Sequence, residues 1–477
     1  MFETPNLSLM APEITLLIAT CFVMLTDLFW PGPERRHTYI AALLALAATL
    51  LVTIQLHDVP RAVVYSGHFI HDQLGVVLKV GVYIISMIAL LYARDYISQR
   101  QFLRGEYYLL TLFSVLGANV LISAGSLLTI YLGLELMSLS LYAMVAMQRD
   151  SKTAPEAAMK YFVLGALASG FLLWGMSLLY GVTGSLTLTE IATLPTAEDQ
   201  LIIYRFAMVF IVAAIAFKLG AVPFHMWIPD IYHGAPTSVV AFLGSAPKLA
   251  TFGMIMRLLN DAMPAIHEDW SAMFVALAVL SLAIGNIGAI VQTNLKRLLA
   301  YSAIAHMGYF MIGLATGNDQ GFAASMFYIL IYALMTLGGF GMILFLSRAG
   351  FESDELVNFK GLWHRSPWHA VLMMFILMSM AGVPPFVGFW PKLMIFKAAV
   401  DDGQIGLAVY GAVMSLVGAY YYLKVVKVMF FDTAEDMTPI KADTSLQLAI
   451  SANGLAMLVL GLFPSVILAW CLAAIPS

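Results

Sequence analysis

Apolar runs of about twenty residues recur along the whole length of this chain, and no other feature limits its fold as much. A helix of that length crosses the ~30 Å hydrocarbon core of a bilayer at about 1.5 Å per residue. In lipid, backbone N–H and C=O groups must be satisfied within the chain, so runs of this length are helices. About fourteen spans can be read. They begin near residues 8, 38, 74, 107, 126, 156, 201, 236, 268, 293, 321, 369, 404 and 447. The seventh and twelfth carry breaks. The expected fold is an all-α polytopic membrane protein. Composition agrees: 61% of 477 residues are hydrophobic and 11% charged, with a mean hydropathy of +0.87.

The same composition excludes several functions. A net charge of −4 with no basic domain argues against a nucleic-acid partner. Cys21 and Cys471, the only cysteines, lie in apolar runs, which excludes disulfide frameworks, CxxC pairs and thiolate-ligated iron–sulfur clusters. The opening Met1–Pro5 has no basic region, so the first apolar run is expected to be retained rather than cleaved. The longest polar stretches, Ser347–Pro367 and Phe431–Gln447, are too short for a soluble domain.

Basic residues set the expected topology. Arg35, Arg36, Arg94, Arg100, Arg104, Arg149, Lys152, Lys296, Arg297, Arg348, Lys360, Arg365 and Lys441 fall on one side if the spans alternate. The opposite loops hold little beyond Arg61. The positive-inside rule then puts both termini on the non-cytoplasmic side. Trp30, Tyr107, Tyr108, Trp270 and Trp368 fall at span ends and read as interfacial anchors.

Two spans carry the same break. Span seven ends in Phe217-Lys-Leu-Gly-Ala-Val-Pro-Phe-His225, and span twelve contains Met380-Ala-Gly-Val-Pro-Pro-Phe-Val-Gly388. Proline removes a backbone donor and clashes with the preceding turn, so both helices should break. Ala157-Ala-Met-Lys-Tyr-Phe also resembles Ala323-Ala-Ser-Met-Phe-Tyr. The expected organisation is an N-terminal three-helix segment (1–106), a first five-helix repeat (107–260), a second (261–430) and a C-terminal transmembrane helix (431–477). Five is odd, so the second repeat enters the membrane inverted, the plan of many transporters with discontinuous helices at their sites.

Ionisable residues interrupt the apolar runs. Glu135 is near the middle of span five, Lys218 just before the first break, Lys248 midway along span eight and Lys392 after the second break. A charge at the bilayer centre costs roughly 2.5–3.5 kcal/mol, so four together cost on the order of 10 kcal/mol. Burial disfavours charge and a nearby carboxylate favours it, so a lysine with a movable acid partner alternately holds and releases a proton. The alternative is static ion pairs fixing helix register. One acid cannot neutralise three lysines, which favours the proton path for these four. Lys160 either joins the path or snorkels to the interface. His306 is either a relay or a hydrogen-bonded structural histidine. His225 and His233 flank the first break, and His225 is a further path candidate. Lys79, Lys424 and Lys427 read as anchors near helix ends. There is no Walker A sequence, no GxGxxG after a strand and no HExxH, so the chain is expected to move protons without doing the driving chemistry.

These residues resemble the antiporter-like membrane subunits of proton-pumping NADH–quinone oxidoreductase, respiratory complex I. The resemblance covers essentially the whole length. It is carried by Gly133-Leu-Glu-Leu-Met-Ser-Leu, Phe217-Lys-Leu-Gly-Ala-Val-Pro-Phe-His-Met-Trp-Ile-Pro-Asp, Gly234-Ala-Pro-Thr, Lys296-Arg-Leu-Leu-Ala-Tyr-Ser-Ala-Ile-Ala-His-Met-Gly and Gly382-Val-Pro-Pro-Phe-Val-Gly-Phe-Trp-Pro-Lys. M-type members usually carry glutamate where Lys392 stands, and L-type members are much longer, which points to the N type. The resemblance implies roles: Glu135 as carboxylate partner, Lys218 as switching lysine, Lys248 as central relay and Lys392 as distal lysine, with Lys160 at a further basic position. Where many relatives place glycine before the lysine, this chain has Phe389-Trp-Pro-Lys. The resemblance further implies no cofactor in this chain, FMN and iron–sulfur clusters in partner subunits, and membrane and peripheral subunits of complex I as partners. It implies a bacterial inner membrane with both termini periplasmic. A subunit of a multisubunit sodium/proton antiporter, which shares the fold, is the alternative.

Overall fold

The computed structural model describes residues 7–30, 32, 34–100, 102–192, 197–434, 438, 440 and 442–475. Lys441 and Met1–Pro5 lie outside the described residues. The chain is almost wholly helical. The first helices are α1 (Ala11–Phe29), α2 (Arg36–Gln55), α3 (Gln73–Gln99), α4 (Gly105–Ile122), α5 (Leu127–Val145) and α6 (Ala154–Thr183). A short antiparallel hairpin, β1 (Ala62–Val64) with β2 (Phe69–His71), joins α2 to α3, pairing Ala62 with His71. Next come α7 (Leu188–Ile191), α8 (Glu198–Leu219), α9 (Trp227–Gly234), α10 (Thr237–Leu243) and α11 (Ala246–Ile255). The rest is α12 (His267–Ile290), α13 (Leu295–Ala315), α14 (Asp319–Leu346), α15 (Leu362–Arg365), α16 (Pro367–Ala381), α17 (Phe389–Asp401), α18 (Ile405–Phe431), α19 (Thr444–Leu462) and α20 (Ser465–Ala474).

Thirteen helical stretches among the described residues are long and apolar enough to cross a membrane. The expected twelfth span consists of α16 and α17, each too short to cross alone. The last stretch long enough to cross is α19, and Pro464, which has no N–H to continue the ladder, separates it from the short apolar helix α20. That break packs on the break of span twelve: Val387 N–H donates to Met457 O (2.9 Å) and Trp390 Nε1–H to Gly461 O (2.8 Å). A Cβ on Gly461 would come within 2.0 Å of Pro385 O, so only glycine admits this approach.

The helices segregate by burial. The stretch 237–259 is wholly interior, and α13 and α14 nearly so. Helices α1, α2, α6, α18 and α19 present apolar side chains such as Phe22, Trp174 and Leu416 outward, as a lipid-facing shell does. Without a hydrophobic drive between helices in lipid, small residues bring backbones together. A Cβ on Gly117 would meet Met137 N at 2.4 Å, and one on Gly285 would meet Ala305 N at 2.5 Å. Both contacts recur 168 residues apart (117 to 285, 137 to 305). So do two isolated bridges, Ser126 with Thr187 and Asn294 with Glu355. Ser126 and Asn294 are also the N-caps of α5 and α13.

Three of the residues read as interfacial anchors are not at an interface. Tyr107, Tyr108 and Trp270 are at most 2% exposed. Their span ends are covered by neighbouring helices and loops, and the Trp270 indole donates to Met263 O. Trp30 and Trp368 are exposed, as an anchor requires.

Candidate functional site

An α-helix leaves its last four carbonyls without intrahelical donors. At the end of α8 these are Ala216, Phe217, Lys218 and Leu219, deep in the protein. Gly220, in the left-handed conformation (φ +75°), turns the chain so that Ala221 N–H reaches Ala216 O and Gly220 N–H reaches Phe217 O. The Trp227 indole also donates to Phe217 O (2.8 Å). The last two carbonyls go to a lysine: Lys248 Nζ donates to Lys218 O and Leu219 O, both at 2.8 Å. The end of α16 repeats the pattern. Gly382 (φ +82°) makes the turn, Gly382 and Val383 N–H serve Met378 and Ser379, and Lys392 Nζ donates to Met380 O (3.1 Å) and Ala381 O (2.9 Å).

Each ammonium is thus held by the negative end of a half-helix rather than by a carboxylate. Each also faces an aromatic ring: Lys248 lies 5.3 Å from the Trp227 ring and Lys392 4.6 Å from that of Tyr309. The two lysines come from different places. Lys248 sits on the helix after the first break, whereas Lys392 follows its own break. The residue 167 positions beyond Lys248 is Ser415, and its Oγ accepts from Lys392 Nζ (3.0 Å). A cavity of about 280 Å³ opens beside Lys392 and Ser415 between α17 and α18.

Lys218 is 8% exposed, and its Nζ donates to Ser138 Oγ (2.9 Å) on α5. Glu135 is one turn before Ser138 on that helix and accepts a short hydrogen bond from Ser169 Oγ on α6. Among the described residues no carboxylate lies within 4.0 Å of Lys218, so acid and amine are neighbours held apart by hydroxyls.

His306 lies at the centre of the second half, 2% exposed, with both ring nitrogens engaged. Nδ1 pairs with Tyr328 Oη (2.7 Å) and Nε2 with Tyr422 Oη (3.0 Å), which also meets Ser302 Oγ. Tyr309, the ring over Lys392, lies 6.3 Å from that of Tyr328. Tyr309 thus lies between Lys392 and the hydroxyl–imidazole cluster around His306, without a hydrogen bond of its own to either. Lys160 lies apart from this cluster. Half-exposed near the start of α6, it pairs with Glu156 (2.9 Å) and Asp230 (3.0 Å), and Asp230 also meets Arg297. His225 lies in the first break, half-buried, its Nδ1 without a hydrogen-bond partner. His233 is exposed.

Sequence reasoning missed some buried charge. Lys79, read as an anchor, is 3% exposed and paired with Glu13 (2.5 Å), because α1 covers it. Arg257, also fully interior, binds both oxygens of Asp72 (2.6 and 2.8 Å) and Asp261 (3.0 Å) and donates to Ile122 O at the end of α4. Lys424, likewise read as an anchor, donates to Ile290 O at the end of α12 (3.4 Å). Lys427 is exposed near Asp432, as an anchor reading allows. Both Arg257 and Lys424 serve helix ends, which a spacing of 167 between them could have signalled. Among the described residues no cluster of His, Cys, Asp or Glu is arranged to hold a metal ion.

The chain was compared with known proteins. The family described as NADH:quinone oxidoreductase/Mrp antiporter, TM, matches residues 124–418. The NADH-quinone oxidoreductase subunit N of Thioalkalivibrio sulfidiphilus is 49% identical over 476 residues, 99% of either chain. That of Thiobacillus denitrificans is 52% identical over 465 residues, 97% of this chain and 96% of its own. Among solved structures, a chain of respiratory complex I from Thermus thermophilus with bound aureothin superposes with a TM-score of 0.83 at 32% identity, covering 97% of this chain and all of that one. A chain of the Mrp complex from Dietzia superposes at 0.87 over 98% of this chain and 97% of its own, but at 21% identity, a likeness of fold alone. The chain belongs to the subunit N family of NADH-quinone oxidoreductases.

Proposed function

We propose that this chain moves protons across the membrane as a subunit of NADH–quinone oxidoreductase, along Glu135, Lys218, Lys248 and Lys392, with His306 between the last two. The observation that carries the reading is the placement of three buried amines at two broken helices, two of them held by backbone carbonyls alone or with a hydroxyl. Carbonyls favour the ammonium, burial favours the free amine, and neither cancels the other outright. A small shift in the break therefore changes which form is held.

Glu135 supplies the shift. Drawn toward Lys218 through the Ser138 hydroxyl, it keeps the proton on; withdrawn toward Ser169, it releases it. The proton passes to Lys248, whose contact is the backbone oxygen of Lys218 itself. His306, bonded at both nitrogens to tyrosine hydroxyls, accepts at one and donates at the other, leading to Lys392. NADH oxidation, with FMN and iron–sulfur centres, and quinone reduction belong to partner subunits. The basic loops support a bacterial inner-membrane orientation with both termini periplasmic. The two matching breaks support inverted five-helix repeats. The sodium/proton antiporter alternative is weaker, because the relatives near 50% identity carry the oxidoreductase name.

The test is proton translocation per electron in the assembled complex carrying Lys218→Ala or Glu135→Ala. Loss of translocation with electron transfer retained is expected; unchanged stoichiometry in both removes the reading.

A further inference from the structure

Pro391 stiffens the first turn of α17, and Trp390 and Lys392 flank it. Two residues apart on a helix, their side chains leave it in nearly opposite directions. Lys392 reaches back to the carbonyls at the end of α16. Trp390 reaches the other way, to α19, where its indole N–H donates to Gly461 O (2.8 Å). That acceptor is free because α19 ends at Leu462, so Gly461 O has no donor in its own helix. One turn back on α19, Met457 O accepts from Val387 N–H (2.9 Å). At Gly461 the backbone of the break lies directly against α19, with Pro385 O in the space a Cβ would take.

The base of this contact is itself fixed. Asn453, one turn before Met457, donates to Tyr92 Oη on α3 (3.1 Å) and to Leu334 O on α14 (3.2 Å). The first break is built differently. There the Trp227 indole serves Phe217 O, on the half-helix of the same break. The first break is therefore closed on itself, whereas the second is pinned to the C-terminal helix α19.

We infer that Trp390 is a positioning residue for Lys392, and that α19, through Gly461 O, sets how Lys392 meets the end of α16. The ammonium has three acceptors, Met380 O (3.1 Å), Ala381 O (2.9 Å) and Ser415 Oγ (3.0 Å), so a small displacement of α17 alters all three bonds together. Releasing the indole bond frees the first turn of α17 to move. The inference rests on the proposed role of Lys392.

Trp390→Phe keeps an aromatic ring and removes the N–H. In the intact complex in vesicles it is expected to lower protons moved per electron by about twofold or more, with NADH–quinone electron transfer under an uncoupler unchanged. Trp390→His offers a ring N–H at similar reach on a smaller, more polar side chain, and is expected to recover at least half of that loss. Were Trp390 only filling space, histidine would pump no better than phenylalanine. Gly461→Ala, whose methyl forces α19 away from the break, is expected to lower the ratio as Trp390→Phe does. Normal pumping in Trp390→Phe, or histidine no better than phenylalanine, overturns the inference. Lys392→Ser in the same assay separates the two claims: if it pumps normally, the role of Lys392 has failed, and if it loses pumping while Trp390→Phe does not, only the positioning by α19 has. Should a Trp390 variant not assemble, Gly461→Ala decides, and normal pumping there overturns the inference.

Discussion

The side-chain ammonium of Lys248 lies 2.8 Å from the backbone oxygen of Lys218, so one lysine of the proposed path caps the helix that carries the other. Loss of charge on Lys248 weakens its bonds to Lys218 O and Leu219 O, because a neutral amine donates less strongly than an ammonium, and so loosens the end of α8. Protonation and helix geometry are coupled at this point through the backbone.

That coupling separates capping from proton transfer. Lys248→Ala leaves two buried carbonyls unsatisfied, about 1–3 kcal/mol each, and should lower both complex stability and pumping. Arginine can still cap but does not release its proton in proteins. Lys248→Arg is therefore expected to recover thermal stability by more than half of the alanine loss without recovering pumping, as measured by melting of the purified complex and proton uptake in vesicles. Recovery of both would exclude a titrating role.

In the second half the ammonium can be moved. Lys392→Ser should abolish most pumping. Adding Ser415→Lys places an amine where Lys248 stands in the first half, beside Ala381 O. The double variant is expected to pump at least several-fold better than Lys392→Ser alone. No gain over the single variant argues that the location of the charge does not matter.

The Arg257 clamp sets an acid limit. Burial works to raise the Asp72 carboxyl, yet Arg257 and the Gly75 amide hold it below the ordinary range. A carboxyl depressed in the folded state contributes stability above its unfolded value, near ~3.9, and that stability is lost as pH falls through the folded value. Melting temperature should therefore be insensitive to this group from about pH 5 upward and fall below about pH 4. Asp72→Asn should lower stability at pH 7 and flatten the acid limb; an unchanged acid limb would remove Asp72 as its source.

The Glu13–Lys79 pair is expected to behave as structure. Lys79→Ala strands a buried carboxylate, about 3–5 kcal/mol, and should reduce the amount of assembled complex. Glu13→Leu combined with Lys79→Met should restore assembly to near normal, with pumping per electron unchanged. Lower stoichiometry in a fully assembled double variant would add this pair to the proton path.

Much of the fold was legible from residue order. Apolar runs marked nearly every span because lipid forces each to satisfy its own backbone. Gly220 and Pro223, like Gly382 and Pro385, marked both breaks because local dihedral limits act whatever the surroundings. The composition likewise bounded the chemistry, and Glu135, Lys218, Lys248 and Lys392 stood out because charge in an apolar run is costly anywhere. What those charges touch was decided only by packing. No spacing rule says that Lys248 meets the carbonyls of a helix thirty residues back, that Lys79 pairs with Glu13 rather than water, or that Tyr107 and Trp270 turn inward. Such contacts depend on which helices lie side by side, and apolar periodicity is nearly silent on that when both lipid and protein neighbours are apolar.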